Sequence, residues 1–140
     1  MRQIPGYSLW LGHVGDVWNP SAIMNVGIGA VVDLALNEKP AVLPRELAYC
    51  RFPLIDGAGN PPWLLRFAIE TIANLIRTST PTLVYCGAGM SRTPCIVGAA
   101  ISLVRGCSTT EGLALATESG AKDISPVLWE EVKASLSNRT

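Results

Sequence analysis

One segment constrains this chain more than any other: Val84-Tyr85-Cys86-Gly87-Ala88-Gly89-Met90-Ser91-Arg92-Thr93, followed by an almost unbroken apolar stretch to Val104. Pro81-Thr82 leads into Leu83-Val84-Tyr85-Cys86, which reads as a short strand of buried character. A glycine-rich turn follows. From about Thr93 to Arg105, the residues Ile96, Val97, Ala99, Ala100, Ile101, Leu103 and Val104 leave almost no polar face. That predicts a helix in the middle of a domain, closed by Gly106 as its C-cap.

The rest of the chain supplies the layers such a helix needs. Ile28 to Leu36 is nearly continuous in apolar residues and predicts a strand covered on both faces. Tyr49 to Leu54 predicts a second, stopped near Pro53, and Tyr7 to Leu11 alternates after Pro5-Gly6 and predicts an edge strand. Pro20 to Asn25 predicts a short helix. Pro62 sits where a first helical residue belongs, and Leu64, Ala68, Ile72, Leu75 and Ile76 recur at helical spacing to about Arg77. Ser108-Thr109-Thr110-Glu111 has the form of a capping box, and Ser125-Pro126 opens a last helix to about Leu136. Asp56-Gly57-Ala58-Gly59-Asn60-Pro61-Pro62 is a loop by every local rule. Strands alternating with helices predict an α/β fold with a central, mainly parallel β-sheet flanked by α-helices. With 140 residues, no repeat and no linker, residues 1–140 are expected to form a single domain.

Composition removes several function classes. Eleven basic and eleven acidic side chains balance, so nothing favours nucleic acid as the main partner. The apolar run from Ile96 to Val104 is far below the roughly 17–25 residues that cross a bilayer. Met1 to Gly6 shows no apolar core of a signal peptide, so a cytoplasmic location is expected, with no membrane partner. The four cysteines, Cys50, Cys86, Cys95 and Cys107, form no Cys-x-x-Cys pair, and the single His, His13, is far from them in sequence. No metal site or disulfide framework is expected, and three of the four read as reduced, partly buried thiols.

Cys86 is the exception. In an open α/β sheet, ligands gather at the carboxyl ends of strands, where Cys86 falls. Backbone N–H groups of the turn and of the helix start make an anion cradle. Gly87 and Gly89 are expected to supply positive φ and close backbone approach. A helix N-terminus and a nearby cation draw a thiol toward its thiolate, and Arg92 can hold two oxygens of a tetrahedral anion in its planar fork. Thr93 has a hydroxyl able to reach back toward the sulfur. These parts describe a nucleophile aimed at bound phosphate.

The Cys-x5-Arg spacing, with Gly89 at the fourth position and Thr93 after Arg92, resembles the signature of the cysteine-based protein tyrosine phosphatases, in their dual-specificity branch. At average residue frequencies such a pattern arises by chance in a chain this long on the order of once in a thousand. Leu9-Trp10-Leu11-Gly12, Val31-Val32-Asp33-Leu34 and the stretch from Thr110 to Leu136 resemble further parts of that family. The resemblance implies a dual-specificity phosphatase-like fold, a phosphate loop formed by Gly87, Ala88, Gly89, Met90, Ser91 and Arg92, and catalysis by Cys86, Arg92, Thr93 and an acidic loop residue. It places that acid about thirty residues before the cysteine, where Asp56 stands. The glycines around Asp56 would let such a loop close as a lid. Asp33 reads as structural inside its strand, and Asp16 and Asp123 as turn residues. The family usually carries His before the Cys; this chain has Tyr85, which cannot become cationic. Cys86 is therefore expected to keep a higher pKa than is usual in the family, with lower but nonzero activity at acidic pH.

Competing patterns are weaker. Gly87-x-Gly89 meets Arg92 where a dinucleotide fingerprint needs a third glycine, and no Gly-x-Ser-x-Gly elbow occurs. His13 reads as a surface or strand-end residue. Trp63 is expected to pack in the core, or less favourably to anchor the Asp56 loop. Cys50 and Cys95 are the candidates for a reversible disulfide with Cys86, a pairing the sequence does not favour.

The expected function is thus hydrolysis of phosphomonoesters without metal or other cofactor, through a cysteinyl-phosphate intermediate, with Asp56 as acid and then base. Expected substrates are phosphotyrosine and, by extension, phosphoserine or phosphothreonine in a phosphorylated protein, or a small phosphomonoester. The variable loop positions Gly87, Ala88, Met90 and Ser91 lack the basic residues that inositol phosphates want; Lys39, Arg45, Arg51 and Arg66 are candidates for a basic rim. A monomer is the default. The alternative from another class is a catalytically weak or inactive phosphate- or phosphopeptide-binding pseudophosphatase, which Tyr85 favours. A rhodanese-like sulfur transferase is disfavoured by the Asp56 spacing.

Overall fold

The computed structural model describes residues 1–118, 120 and 122–137. Among these residues, five strands make one sheet in the order β1-β2-β5-β3-β4: β1 (Arg2–Gln3), β2 (Leu9–His13), β3 (Ala30–Ala35), β4 (Ala48–Leu54) and β5 (Thr82–Cys86). β2, β5, β3 and β4 run parallel, and only β1 is antiparallel to its neighbour. The helices are α1 (Pro20–Val26), α2 (Pro62–Arg77), α3 (Arg92–Arg105), α4 (Thr109–Thr117) and α5 (Pro126–Ser137), with a 3-10 turn at Val14–Trp18.

Strand alternation sorts the apolar side chains onto two faces. Leu9, Leu11, Val32, Leu34, Phe52, Leu54, Val84 and Cys86 point to the main core, where α2, α3 and α5 pack with Ala116 of α4. Val31, Leu83 and Tyr85 point the other way, onto Val17, Ile23, Ile28 and Leu47. α3 is buried from Arg92 to Ser102, as its missing polar face requires. It approaches α4 closely because both carry glycine at the crossing: a Cβ on Gly98 would sit 2.8 Å from Leu113 Cα, and one on Gly112 would overlap the Gly98 carbonyl. The expected caps are in place, except that only the serine half of the capping box at Ser108–Glu111 is formed. Pro62 opens α2, Gly106 closes α3 at φ 69°, Ser108 accepts the Glu111 N–H, and Ser125 accepts the Leu128 N–H.

Two local expectations are corrected. The first long strand spans Leu9–His13 and is not at the edge, because the Pro5-Gly6 turn (Gly6 φ 83°) folds residues 2 and 3 back to pair with Leu11 and Trp10. Arg2 then reaches the Ala116 carbonyl at 2.8 Å. β4 ends at Leu54, one residue past Pro53 as expected, and as the outer strand it tolerates a residue without an N–H. Trp63 is 60% exposed, so it does not pack in the core. Of the Thr110–Leu136 stretch, Ser119 and Ala121 lie outside the described residues.

Candidate active site

β5 lies at the centre of the sheet, between β2 and β3, and Cys86 is its last residue. This is a point where strand order reverses, the place where open α/β sheets leave a crevice at their carboxyl edge. The loop from Gly87 to Ser91 leaves β5 there and turns into α3.

Backbone contacts fix that loop from two sides. Val14 N–H donates to the Gly87 carbonyl at 3.2 Å, tying the loop to the end of β2. Gly89, at φ 78°, passes so close to β2 that a Cβ would lie 2.6 Å from the Gly12 carbonyl oxygen. Gly87 does not share this need: its φ is not positive, and its Cβ position faces only the ends of Arg92 and Glu38. The expectation that both glycines supply positive φ is therefore corrected to Gly89 alone. On the other side, Asp123 N–H donates to the Met90 carbonyl at 2.8 Å and Ser125 N–H to Ser91 Oγ at 2.9 Å. With its hydroxyl engaged there, Ser91 does not cap α3, whose first amides face the loop without a side-chain cap.

Arg92 opens α3 and is buried. Its Nη1 donates to Asn37 Oδ1 at 3.0 Å and to the Leu54 carbonyl at 3.1 Å, which holds the guanidinium across the ends of β3 and β4. Thr93 is fully buried, and its hydroxyl finds no hydrogen-bond partner in the protein. An orphaned buried hydroxyl costs about 1–3 kcal/mol, so a partner supplied during function would relieve it.

Asp56 follows β4 and is exposed. Asp56, Cys86, Ala88, Gly89, Met90, Ser91 and Arg92 share one cavity of about 110 Å³ with Asp123. At about 30 Å³ per water, that is room for three or four oxygen-sized atoms. Gly87 and Thr93, the second residue of α3, are not among the residues that line the cavity. The structure thus brings Asp56, thirty residues upstream, to Cys86 and Arg92, and adds Asp123, which sequence reading set aside as a turn residue. Its only sequence signal was its place just before Ile124-Ser125-Pro126, and nothing local shows that this turn folds against the loop. None of Lys39, Arg45, Arg51 or Arg66 lines the cavity. Arg51 instead approaches Asp33 at 3.6 Å, and Lys39 lines a neighbouring groove with Glu38 and Trp18.

The other titratable groups behave structurally. Asp33 is fully buried and accepts the Ala35 N–H at 2.8 Å and the Tyr49 hydroxyl at 2.7 Å. Burial, the hydrogen bond that Tyr85 donates to Tyr49 and the Asp33 charge hold the Tyr85 phenol far above its ordinary range. Burial pushes the Cys95 thiol up to about 12, with help from the charges of Asp56 and Cys86. His13 ends β2 and accepts the Gly15 N–H. All four cysteines carry free thiols. Among the described residues, no group of three or more His, Cys, Asp or Glu is placed to hold a metal, and no helix is long and apolar enough to cross a membrane.

The sequence matches no family model and no curated protein. The architecture does match solved structures. Human DUSP28 superposes with a TM-score of 0.80 at 20% identity, covering 93% of this chain and 92% of that one. Human tyrosine phosphatase-like serine/threonine/tyrosine-interacting protein gives 0.78 at 17% identity over 93% and 91%. OH1 from the Orf virus, a tyrosine phosphatase with triple substrate specificity, gives 0.69 at 17% identity over 96% and 82%. Sheet order, helix placement and the strand–loop–helix at Cys86 together give this chain the fold of the dual-specificity phosphatases.

Proposed function

We propose that this chain is a metal-independent phosphatase acting on phosphomonoesters by two displacements at Cys86. The observation that carries the reading is the convergence of Cys86, Arg92 and Asp56 on one small cavity at the carboxyl end of β5. In the first step the Cys86 thiolate attacks phosphorus, the ester P–O bond breaks, and Asp56 gives its proton to the departing oxygen, a transfer worth roughly 10²–10⁴ in rate. Arg92 and the loop amides hold the nonbridging oxygens. In the second step Asp56 takes a proton from water as its oxygen attacks phosphorus. The S–P bond then breaks, and the returning thiolate gives the Thr93 hydroxyl the partner it lacks.

A cavity of about 110 Å³ is on the scale of a phosphate group, which supports phosphotyrosine, phosphoserine or phosphothreonine in a protein, or a small phosphomonoester, as substrate. On this reading residues 1–140 act as one catalytic domain, monomeric and cytoplasmic. Tyr85 in place of the family's usual His, and the likeness to a phosphatase-like interacting protein, favour a second reading: a phosphopeptide-binding pseudophosphatase.

The test is phosphate release from an aryl phosphate between roughly pH 5 and 8, with wild type, Cys86→Ser and Asp56→Asn. Turnover that vanishes in the first variant and falls in the second establishes the mechanism. Wild-type protein that binds a phosphopeptide without turning it over sinks it in favour of the second reading.

A further inference from the structure

Asp56 lies on an exposed loop, yet the residues on either side of it are tightly held. The Asn60 side chain, buried beneath the loop, accepts the Ile55 N–H at 2.7 Å and donates to the Ile55 and Gly57 carbonyls at 2.9 and 3.1 Å. One amide thus ties both neighbours of Asp56. Asn60 is held in turn by Glu131 of α5, seventy-one residues away. Glu131 Oε1 accepts the Asn60 N–H at 3.2 Å and the Asn60 Nδ2 at 3.3 Å, and Oε2 accepts the Gly59 N–H at 2.8 Å. The loop has no comparable help from α2, because Pro61 caps that helix without any side-chain hydrogen bond. From the front, the Arg92 contact to the Leu54 carbonyl fixes the strand end that feeds the loop.

We propose that Glu131 is a positioning residue for the general acid: through Asn60 it holds Asp56 over the phosphate cavity, so that the proton is already placed when the leaving oxygen departs. The proposal rests on the phosphatase reading and deepens it. It also replaces the expected lid, opened and closed by Gly57 and Gly59, with a loop latched by a carboxylate that accepts three N–H groups. A charged acceptor of three donors is stronger than neutral partners, which suits a latch on an otherwise solvent-exposed loop.

The inference separates from ordinary structural support by its dependence on the leaving group. Dinitrophenolate departs without a proton, whereas phenolate needs one, so an acid and whatever positions it matter far more for phenyl phosphate than for dinitrophenyl phosphate. The quantity to compare is kcat/KM, which reports the first displacement alone. Glu131→Ala is expected to lose on the order of 10- to 100-fold on phenyl phosphate, the scale of a small misplacement of a reacting group. Its loss on dinitrophenyl phosphate is expected to stay within about threefold. Glu131→Gln keeps one acceptor oxygen and should fall between wild type and Glu131→Ala. In an Asp56→Asn background, Glu131→Ala should cost almost nothing further on phenyl phosphate, because the group it positions is already gone.

Activity on dinitrophenyl phosphate reports in the same experiment that each variant is folded with an intact phosphate loop. Equal losses on both esters, no loss on phenyl phosphate, or full additivity with Asp56→Asn would each overturn the role of Glu131. If Asp56→Asn itself shows no leaving-group selectivity while Cys86→Ser is inactive, it is the assignment of Asp56 that fails, and the latch falls with it.

Discussion

Replacing Gly89 by alanine tests the geometry of the phosphate loop more sharply than removing any charged residue. Gly89 sits at φ 78°, a conformation that costs an alanine about 1–2 kcal/mol. The added Cβ would also lie 2.6 Å from the Gly12 carbonyl oxygen, a backbone atom of the central sheet that cannot swing aside. Overpacking against a rigid partner costs typically 1–3 kcal/mol, so the sum is about 3 kcal/mol. In a domain of this size that lowers the melting temperature by roughly 10 °C. Relief comes from moving the loop away from β2, and a displacement near 1 Å costs on the order of 10²-fold in rate. Gly87→Ala is the matched comparison. Its Cβ would meet Glu38 Oε1 at 3.6 Å, an ordinary contact, and Arg92 Nη2 at 3.3 Å, a crowding of only a few tenths of an ångström on a held guanidinium, and it needs no positive φ. Its expected cost is below about 1 kcal/mol, within the range of ordinary tolerated substitutions. Gly29→Ala, with nothing within 4 Å of the new carbon, serves as a neutral control. Thermal melts and turnover of an aryl phosphate read all three. Equal damage from Gly87→Ala and Gly89→Ala, or near-normal turnover in Gly89→Ala, would refute the claim that close approach to β2 shapes the loop.

Alkaline pH should destabilise the fold through Cys95 and Tyr85. Both have pKa values raised in the folded state, so their contribution is whole below their unfolded values and is lost as pH rises, when only the unfolded chain releases the proton. Urea midpoints should be flat to about pH 8.5 and then fall, by about 1.4 kcal/mol per pH unit for each group; a flat profile to pH 11 would contradict the burial of both. Asp123 puts a second carboxylate on the cavity wall, so Asp123→Asn should raise kcat/KM for phosphopeptides with acidic flanks relative to basic ones by roughly 3- to 10-fold, less at high salt. An unchanged ratio would place that carboxylate out of reach of the substrate. Gly98→Ala should cost about 2–3 kcal/mol, because its Cβ would press on the Leu113 backbone, while turnover at 25 °C survives; a melt equal to wild type would mean that α3 and α4 part easily.

What the sequence made legible follows from how local each cause is. Pro62, Gly106, Ser108 and Ser125 announce helix ends because capping is decided within a few residues, and each is found in that role. The unbroken apolar faces of β3 and α3 announce their burial for the same reason. β1 escaped notice because two residues carry no periodicity, and its pairing is created by a turn and a neighbour rather than by its own side chains. Pro53 marked the end of β4, which comes one residue later, because a proline brings no N–H to continue a ladder. In the candidate site, Cys86 and Arg92 were readable from one loop, and Asp56 from the spacing that the family resemblance implies. Asp123, Asn37 and Glu131 were not, because each meets the site only through the packing of a distant element.

Tyr85 shows how the two faces of the sheet divide the labour. Adjacent strand residues point to opposite sides, so Cys86 turns to the helical core and Tyr85 turns to the smaller cluster. The Tyr85 hydroxyl lies 3.4 Å from that of Tyr49, which donates to Asp33 and accepts the Ala41 N–H at 2.9 Å. That set joins β5, β3 and β4 to the segment after β3, and the same segment contributes Asn37, the side chain that holds Arg92. A tyrosine before the cysteine therefore braces the support of the arginine from behind the sheet. Arg92 is the cationic side chain in the cavity wall, and the unpaired amides at the start of α3 are the other source of positive field. On the phosphatase reading, Tyr85 thus serves position rather than charge, and the recognition of phosphate would rest on Arg92 and the backbone.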